Sequence, residues 1–167
     1  MNRDREQDGT VIASMSLEEA LSRLWRELKS AGARFRIIIE GRSKTVQPAI
    51  QEQICLIARE ALVNALRHSE ATSIEAEVRY LPRRLGVVVR DNGCGIDPKV
   101  ARAERGQLWG LLGMHKRAES MGAQLRIWSG PGVGTEVEIS VPGDIAVEGL
   151  VTNFERGASC RASSNGK

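Results

Sequence analysis

Leu17, Leu21, Leu24, Trp25 and Leu28 recur at helical spacing behind Ser16. Glu19 completes a Ser-x-x-Glu capping box with Ser16, and Gly32 closes the predicted helix. Arg34 to Glu40 alternates and then runs apolar through Ile37-Ile38-Ile39, which predicts a strand. Gly41 to Val46 reads as a loop. Pro48 suits the first turn of a long helix. Its apolar face, Ile50, Ile54, Ile57, Ala58, Ala61, Leu62 and Ala65, carries the pattern to His68. Thr72 to Tyr80 alternates, Leu81-Pro82-Arg83-Arg84 turns the chain, and Leu85 to Arg90 follows, so a hairpin is expected. Asp97-Pro98 opens a short helix to about Glu104, and Gly110 to Met121 is helical again, ended by Gly122. Ala123 to Ser129 and Thr135 to Val141 read as strands around the turn Gly130-Pro131-Gly132-Val133-Gly134.

This order predicts an α/β two-layer sandwich. It has one mixed, mostly antiparallel sheet of about five strands, with three main helices on one face. Residues 1–14 lack periodicity and read as a linker or disordered terminus. The domain is expected over 15–143. Residues 144–167, rich in Ser, Gly and Ala towards the end, read as a flexible tail.

Composition narrows the partners. With 167 residues, 41% of them hydrophobic, the chain is long enough for one domain with a real core. A net charge of +3 and 4% aromatics give no footprint for nucleic acid, though a phosphate-bearing ligand suits the mild excess. Cys55, Cys94 and Cys160 form no CxxC pair and suggest no disulfide framework or zinc site. The first nine residues are almost wholly polar, unlike a secretory leader, and no apolar run approaches the roughly 20 residues that span a bilayer. A soluble chain without membrane contact is expected; any anchor lies outside it.

Four stretches carry candidate chemistry. Asp91-Asn92-Gly93-Cys94-Gly95 follows the valine-rich strand. Two close glycines let backbone lie against a flat ligand, with Asp91 free to accept a hydrogen bond from it. An ordinary Asp-Asn-Gly turn has the same sequence. Glu60, Asn64, Arg67 and His68 share one helical face at i, i+4, i+7 and i+8. Asn64 offers a carbonyl oxygen to a hard cation such as Mg²⁺, Arg67 and His68 suit phosphate oxygens, and Glu60 suits a base. A solvated polar stripe is the plainer account. Gly106-Gln107-Leu108-Trp109-Gly110-Leu111-Leu112-Gly113 precedes a helix, where free amides can hold phosphate or a glycine-rich lid can move. It equally suits a plain loop. Gly132-Val133-Gly134-Thr135 reads first as a hairpin turn.

Together, in this order, these motifs resemble the Bergerat-type ATPase superfamily. The nearest resemblance, over about residues 50–142, is to the ATP-binding domain of sensor histidine kinases of the nitrate-sensor type. Arg59-Glu60-Ala61-Leu62-Val63-Asn64-Ala65-Leu66-Arg67-His68 is similar to their asparagine box, and Gly110-Leu111-Leu112-Gly113-Met114 to their second glycine box. The resemblance implies a Bergerat ATP-binding fold that binds ATP and Mg²⁺. Asp91 would meet the adenine amino group, and Thr135 would hold a water bridging Asp91 and the base. Gly93, Gly95 and Ile96 would line the adenine. Asn64 would bind Mg²⁺, and Arg67 and His68 the phosphates. Gly110, Leu111, Leu112 and Gly113 would belong to a lid running from Lys99 to Gly110 and just beyond. Glu60 would be the catalytic base.

His115 stands where the family usually has Arg after Gly-Met. Only His68 and His115 are present, and neither lies in the Glu-Leu-His-Asp context of the phosphoacceptor. The resemblance therefore implies an ATP-binding half that would not autophosphorylate alone. It would serve a histidine-bearing dimerisation domain of the same kinase, with a response regulator downstream. The isolated domain would be monomeric and the parent kinase homodimeric. The place would be cytoplasmic, free or as the cytosolic end of a membrane-anchored sensor. Two alternatives share the fold: a stand-alone anti-sigma-factor-type Ser/Thr kinase, and an ATP-binding interaction module without turnover.

Overall fold

The computed structural model describes residues 15–28, 32–96 and 105–148, with only the backbone of 105–108. Helix α1, Leu17–Glu27, leads into strand β1, Arg34–Glu40. Helix α2, Pro48–His68, is followed by the hairpin β2, Ser73–Leu81, and β3, Arg84–Asp91. Helix α3, Arg105–Ser120, precedes β4, Gln124–Gly130, and β5, Gly134–Pro142; a single turn, α4, Gly143–Ala146, follows. The sheet order is β1-β2-β3-β5-β4. Among the described strands only β1 and β2 run parallel, because the long α2 carries the chain back between them. The other neighbours are antiparallel.

The local signals work as chemistry. Ser16 Oγ accepts from Glu19 N at 3.2 Å, and Glu19 Oε2 accepts from Ser16 N at 2.9 Å, forming the capping box. Pro48 stands in the first turn of α2, where a missing N–H costs nothing, and Arg67 and His68 complement the dipole at its end. The core lies between the helices and one sheet face. Leu17, Leu21, Ile54, Ile57 and Leu62 meet Ile74, Val78, Val87 and Ile139 there, all fully buried. Trp25 of α1 stacks on Phe35 of β1, ring centroids 4.7 Å apart.

The opposite sheet face carries charge. Arg90 pairs with Glu77 at 2.7 Å and with Glu136; Arg79 pairs with Glu77 at 2.7 Å. The Arg79 and Arg90 guanidinium hydrogen bonds hold the Glu77 carboxyl at about 2. Val88 is buried in the midst of these side chains. Their aliphatic stems supply the cover.

Two boundaries differ from expectation. Residues 144–148 belong to the folded part: Ala146 and Val147 are buried, and Val147 bridges Val46. Their apolar side chains close the end of the core beside α2. Helix α3 begins at Arg105 rather than Gly110. Gly106 and Gly110 raise a helix's cost by about 1 kcal/mol each, and no proline stops it, so packing on α2 outweighs them. The short helix expected over 97–104, residues 1–14 and the rest of the tail lie outside the described residues.

Candidate functional site

The alternation that turns Leu85, Val87 and Val89 of β3 towards the helices brings Asp91 to the same face at the strand's end. The parity of β5 does the same for Thr135, ahead of Val137, Ile139 and Val141. Asp91 and Thr135 are register partners across the two strands. From the other side α2 supplies Asn64 and His68, one turn apart.

A small cavity joins these groups. Of the predicted site residues, Asn64, His68, Asp91, Gly95, Ile96, Leu111 and Thr135 line it. Ala61, Ser69, Val89, Met114, Ile127 and Val137 complete its wall; the sequence reading did not single them out for the site. Their signal was there, since the inward face of each element near its site residue must form an apolar floor. The cavity measures ≈ 20 Å³, about one water molecule, well below the roughly 300 Å³ of a typical ligand cleft.

The glycines serve contacts between loops. A Cβ on Gly93 would overlap the Ser69 carbonyl and hydroxyl, and one on Gly95, at φ +76°, would overlap the Gly130 carbonyl. Gly134, at φ +83°, lies equally tightly on the Asp91 carbonyl. Cys94 N donates to Ser69 O and Gly132 N to Cys94 O, each at 2.8 Å. The Asp91–Ile96 loop is thus held between the end of α2 and the β4–β5 turn. Asn92 Oδ1 ties the same loop back, accepting from Thr72 N at 3.0 Å and Ser73 N at 2.9 Å. Gly93 N donates to Asp91 Oδ1 at 2.8 Å, which orients the carboxylate. Clearance beside a flat ligand, expected of Gly93 and Gly95, is therefore not their only demand.

Glu60, Arg67, Gly93, Gly110, Leu112 and Gly113 do not line the cavity. Glu60 is half-buried, and its Oε1 lies so close to Gly110 that a Cβ there would overlap it. Arg67 is exposed at the end of α2. Gly110, Leu111, Leu112 and Gly113 lie within α3, as the helix expected over Gly110 to Met121 has it, and not in an open stretch ahead of a helix. Their amides fall more than one turn inside it, where intrahelical bonds engage them, so no backbone phosphate cradle stands open there. Cys94 is exposed, whereas Cys55 packs against the core and burial pushes its thiol up to about 11. His115 is exposed on α3. Among the described residues no three His, Cys, Asp or Glu side chains gather to hold a metal, and no helix is long and apolar enough to cross a membrane.

Residues 49–145 match the family of histidine kinase-, DNA gyrase B- and HSP90-like ATPases. That span covers more than half the chain and includes every site residue named above. The chain belongs to this family. Among its relatives is the signal transduction histidine-protein kinase/phosphatase DegS of Bacillus subtilis, 33% identical over 108 residues, which are 65% of this chain and 28% of DegS. The nitrate/nitrite sensor protein NarX of Escherichia coli is 36% identical over 84 residues, 50% of this chain and 14% of NarX. The chain thus spans under a third of the curated relatives it matches. A blue-light activated histidine kinase of Erythrobacter litoralis has the same fold, with TM-score 0.60 and 24% identity over 75% of this chain and 40% of that one. So has the mycobacterial sensor histidine kinase MprB, with TM-score 0.59 and 18% identity over 77% and 95%. The five-stranded mixed sheet with its helices is that of histidine kinase catalytic domains. This histidine kinase-type domain is an ATP-binding catalytic domain, and its cavity sits where Asp91, Thr135 and Asn64 converge.

Proposed function

We propose that the domain binds Mg-ATP at this cavity, once the start of α3 moves aside to widen it, and presents the γ-phosphate to a histidine on a separate dimerisation domain of a two-component sensor kinase. The observation that carries this reading is the convergence of Asp91 and Thr135, paired across β3 and β5, with Asn64 and His68 of α2. Asp91 accepts from the adenine amino group, with Thr135 beside it, and Ile96 and Gly95 border the base. Asn64 gives its carbonyl oxygen to Mg²⁺. A lone oxygen donor fits a cation that arrives coordinated by phosphates and keeps its waters, rather than one held in a protein cage. Bound there, the ion neutralises phosphate charge. Arg67 and His68 face the phosphate tail, and Glu60 is the base that orients or deprotonates the acceptor imidazole.

Such transfer depends mainly on positioning and charge neutralisation. Gly110 to Gly113 work as a lid, which requires the start of α3 to move off Glu60. The parent kinase is homodimeric, the isolated domain monomeric, and a response regulator receives the phosphoryl group in the cytoplasm. Calorimetry with ATP and ADP, with and without Mg²⁺, tests the reading. Mg-dependent binding that falls about 100-fold or more in Asp91→Asn is expected, because the swap sets an amide donor against an amino donor. Absence of binding, or an unaffected Asp91→Asn chain, refutes the reading. Phosphotransfer to an added dimerisation domain, lost in Glu60→Gln, tests the catalytic half.

A further inference from the structure

Ser129 was not among the candidate residues, yet it has three partners at the junction of the site's two loops. Its Oγ lies 2.7 Å from Ile96 N, 3.1 Å from Gly134 O and 2.8 Å from Thr135 Oγ1. The amide can only donate and the carbonyl can only accept. A hydroxyl has one hydrogen and two acceptor lone pairs. With its hydrogen on Gly134 O, Ser129 takes the Ile96 N–H on one lone pair and the Thr135 O–H on the other. This arrangement satisfies all three contacts together. The reverse direction, Ser129 donating to Thr135, leaves its contact with the Gly134 carbonyl without a hydrogen.

We propose that Ser129 fixes the hydrogen-bond polarity of Thr135, and so makes the pocket select a purine with an amino group at position 6 over a 6-oxo purine. The Thr135 hydrogen is turned away to Ser129, so Thr135 presents only lone pairs to the cavity it lines. Its register partner Asp91 presents carboxylate oxygens to the same cavity, one of them already accepting from Gly93 N. Two neighbouring acceptors favour a ligand edge rich in donors. A 6-oxo group in direct contact with these acceptors sets lone pair against lone pair and leaves buried acceptors unpaired. Ser129 does not line this cavity, so it acts as a positioning residue behind Thr135. The same hydroxyl holds Ile96 N and links the Asp91–Ile96 loop to the β4–β5 hairpin. Loop geometry and donor polarity therefore depend on one side chain.

The inference rests on the adenine-site reading, and the two fail differently. Titration calorimetry with ADP and IDP, in Mg²⁺, gives the preference ratio for wild type, Ser129→Ala and Ser129→Thr. Ser129→Ala is expected to lower the ADP-over-IDP ratio about tenfold, since Thr135 then turns its hydrogen towards the 6-oxo group. Ser129→Thr keeps the hydroxyl and is expected to keep most of the ratio. In a Thr135→Val background, Ser129→Ala should leave the ratio unchanged. If Ser129→Ala does not fold, Ser129→Cys keeps the size with only weak hydrogen bonding and takes its place. Equal weakening of ADP and IDP, with the ratio intact, overturns the inference and leaves Ser129 a loop clamp. A wild-type chain that binds neither nucleotide, or that Asp91→Asn does not affect, overturns the adenine reading and this inference with it.

Discussion

Gly132 and Gly134 have nearly the same backbone, φ +74° and φ +83°, but different surroundings. Nothing lies within 4 Å of a Cβ on Gly132, whereas a Cβ on Gly134 would overlap the Asp91 carbonyl. Gly132→Ala should therefore cost only the strain of a left-handed alanine, about 1 kcal/mol. Gly134→Ala should cost at least about 3 kcal/mol, because the overlapping atom is backbone and β3 must shift. Urea unfolding of both variants checks this; equal costs would mean that crowding at Asp91 is unimportant. A turn with three glycines was visible in the sequence, but the glycine that touches the site residue was not. Asp91 was legible because it stands at a strand end beside two glycines, whereas Thr135 read alone as part of a hairpin turn and gained a site role only through the family resemblance. Ser129 was hidden, since a serine before a turn has many ordinary uses.

Helix α3 was the least legible element. Its helix was expected only from Gly110, behind a glycine-punctuated loop, yet the backbone is helical from Arg105. Glycine lowers helix propensity without forbidding the helix, and contact with α2 decides the outcome. Gly113 lies in this helix with nothing within 4 Å of a Cβ. Gly113→Ala should raise stability by about 0.5–1 kcal/mol, the usual gain for alanine in a helix interior. If lid action requires this stretch to open, the same substitution should weaken ADP binding severalfold. Melting curves and calorimetry on one variant read both effects. Higher stability with unchanged affinity would mean that α3 binds nucleotide as a helix. Helix α1 and α2 were easier to read, because Ser16, Glu19 and Pro48 act within one turn of chain.

At the scale of the molecule, the charged sheet face sets an acid limit. Glu77 has a folded pKa of about 2, below the ordinary 4.5, through its hydrogen bonds from Arg79 and Arg90. A depressed carboxyl stabilises the fold fully above its unfolded value. That contribution is lost as pH falls from about 4.5 towards about 2. Glu77→Gln should flatten the loss of stability across this window and lower stability at neutral pH by about 1–2 kcal/mol. Thermal melts from pH 2 to pH 7 test this, and an unchanged acid limb would exclude Glu77 as its source.

By itself the sequence determined most of the elements and their two-layer arrangement, through period, capping and turn chemistry, which act over neighbouring residues. The order of its four motifs pointed to an ATP site only through the family resemblance. Tertiary structure alone decided the parallel β1–β2 pair, the folding of 144–148 onto the core and the network around Glu77. It also decided the placement of Gly110 on Glu60 and of Ser129 behind Thr135. Each of these depends on which distant groups touch, and no local period encodes that.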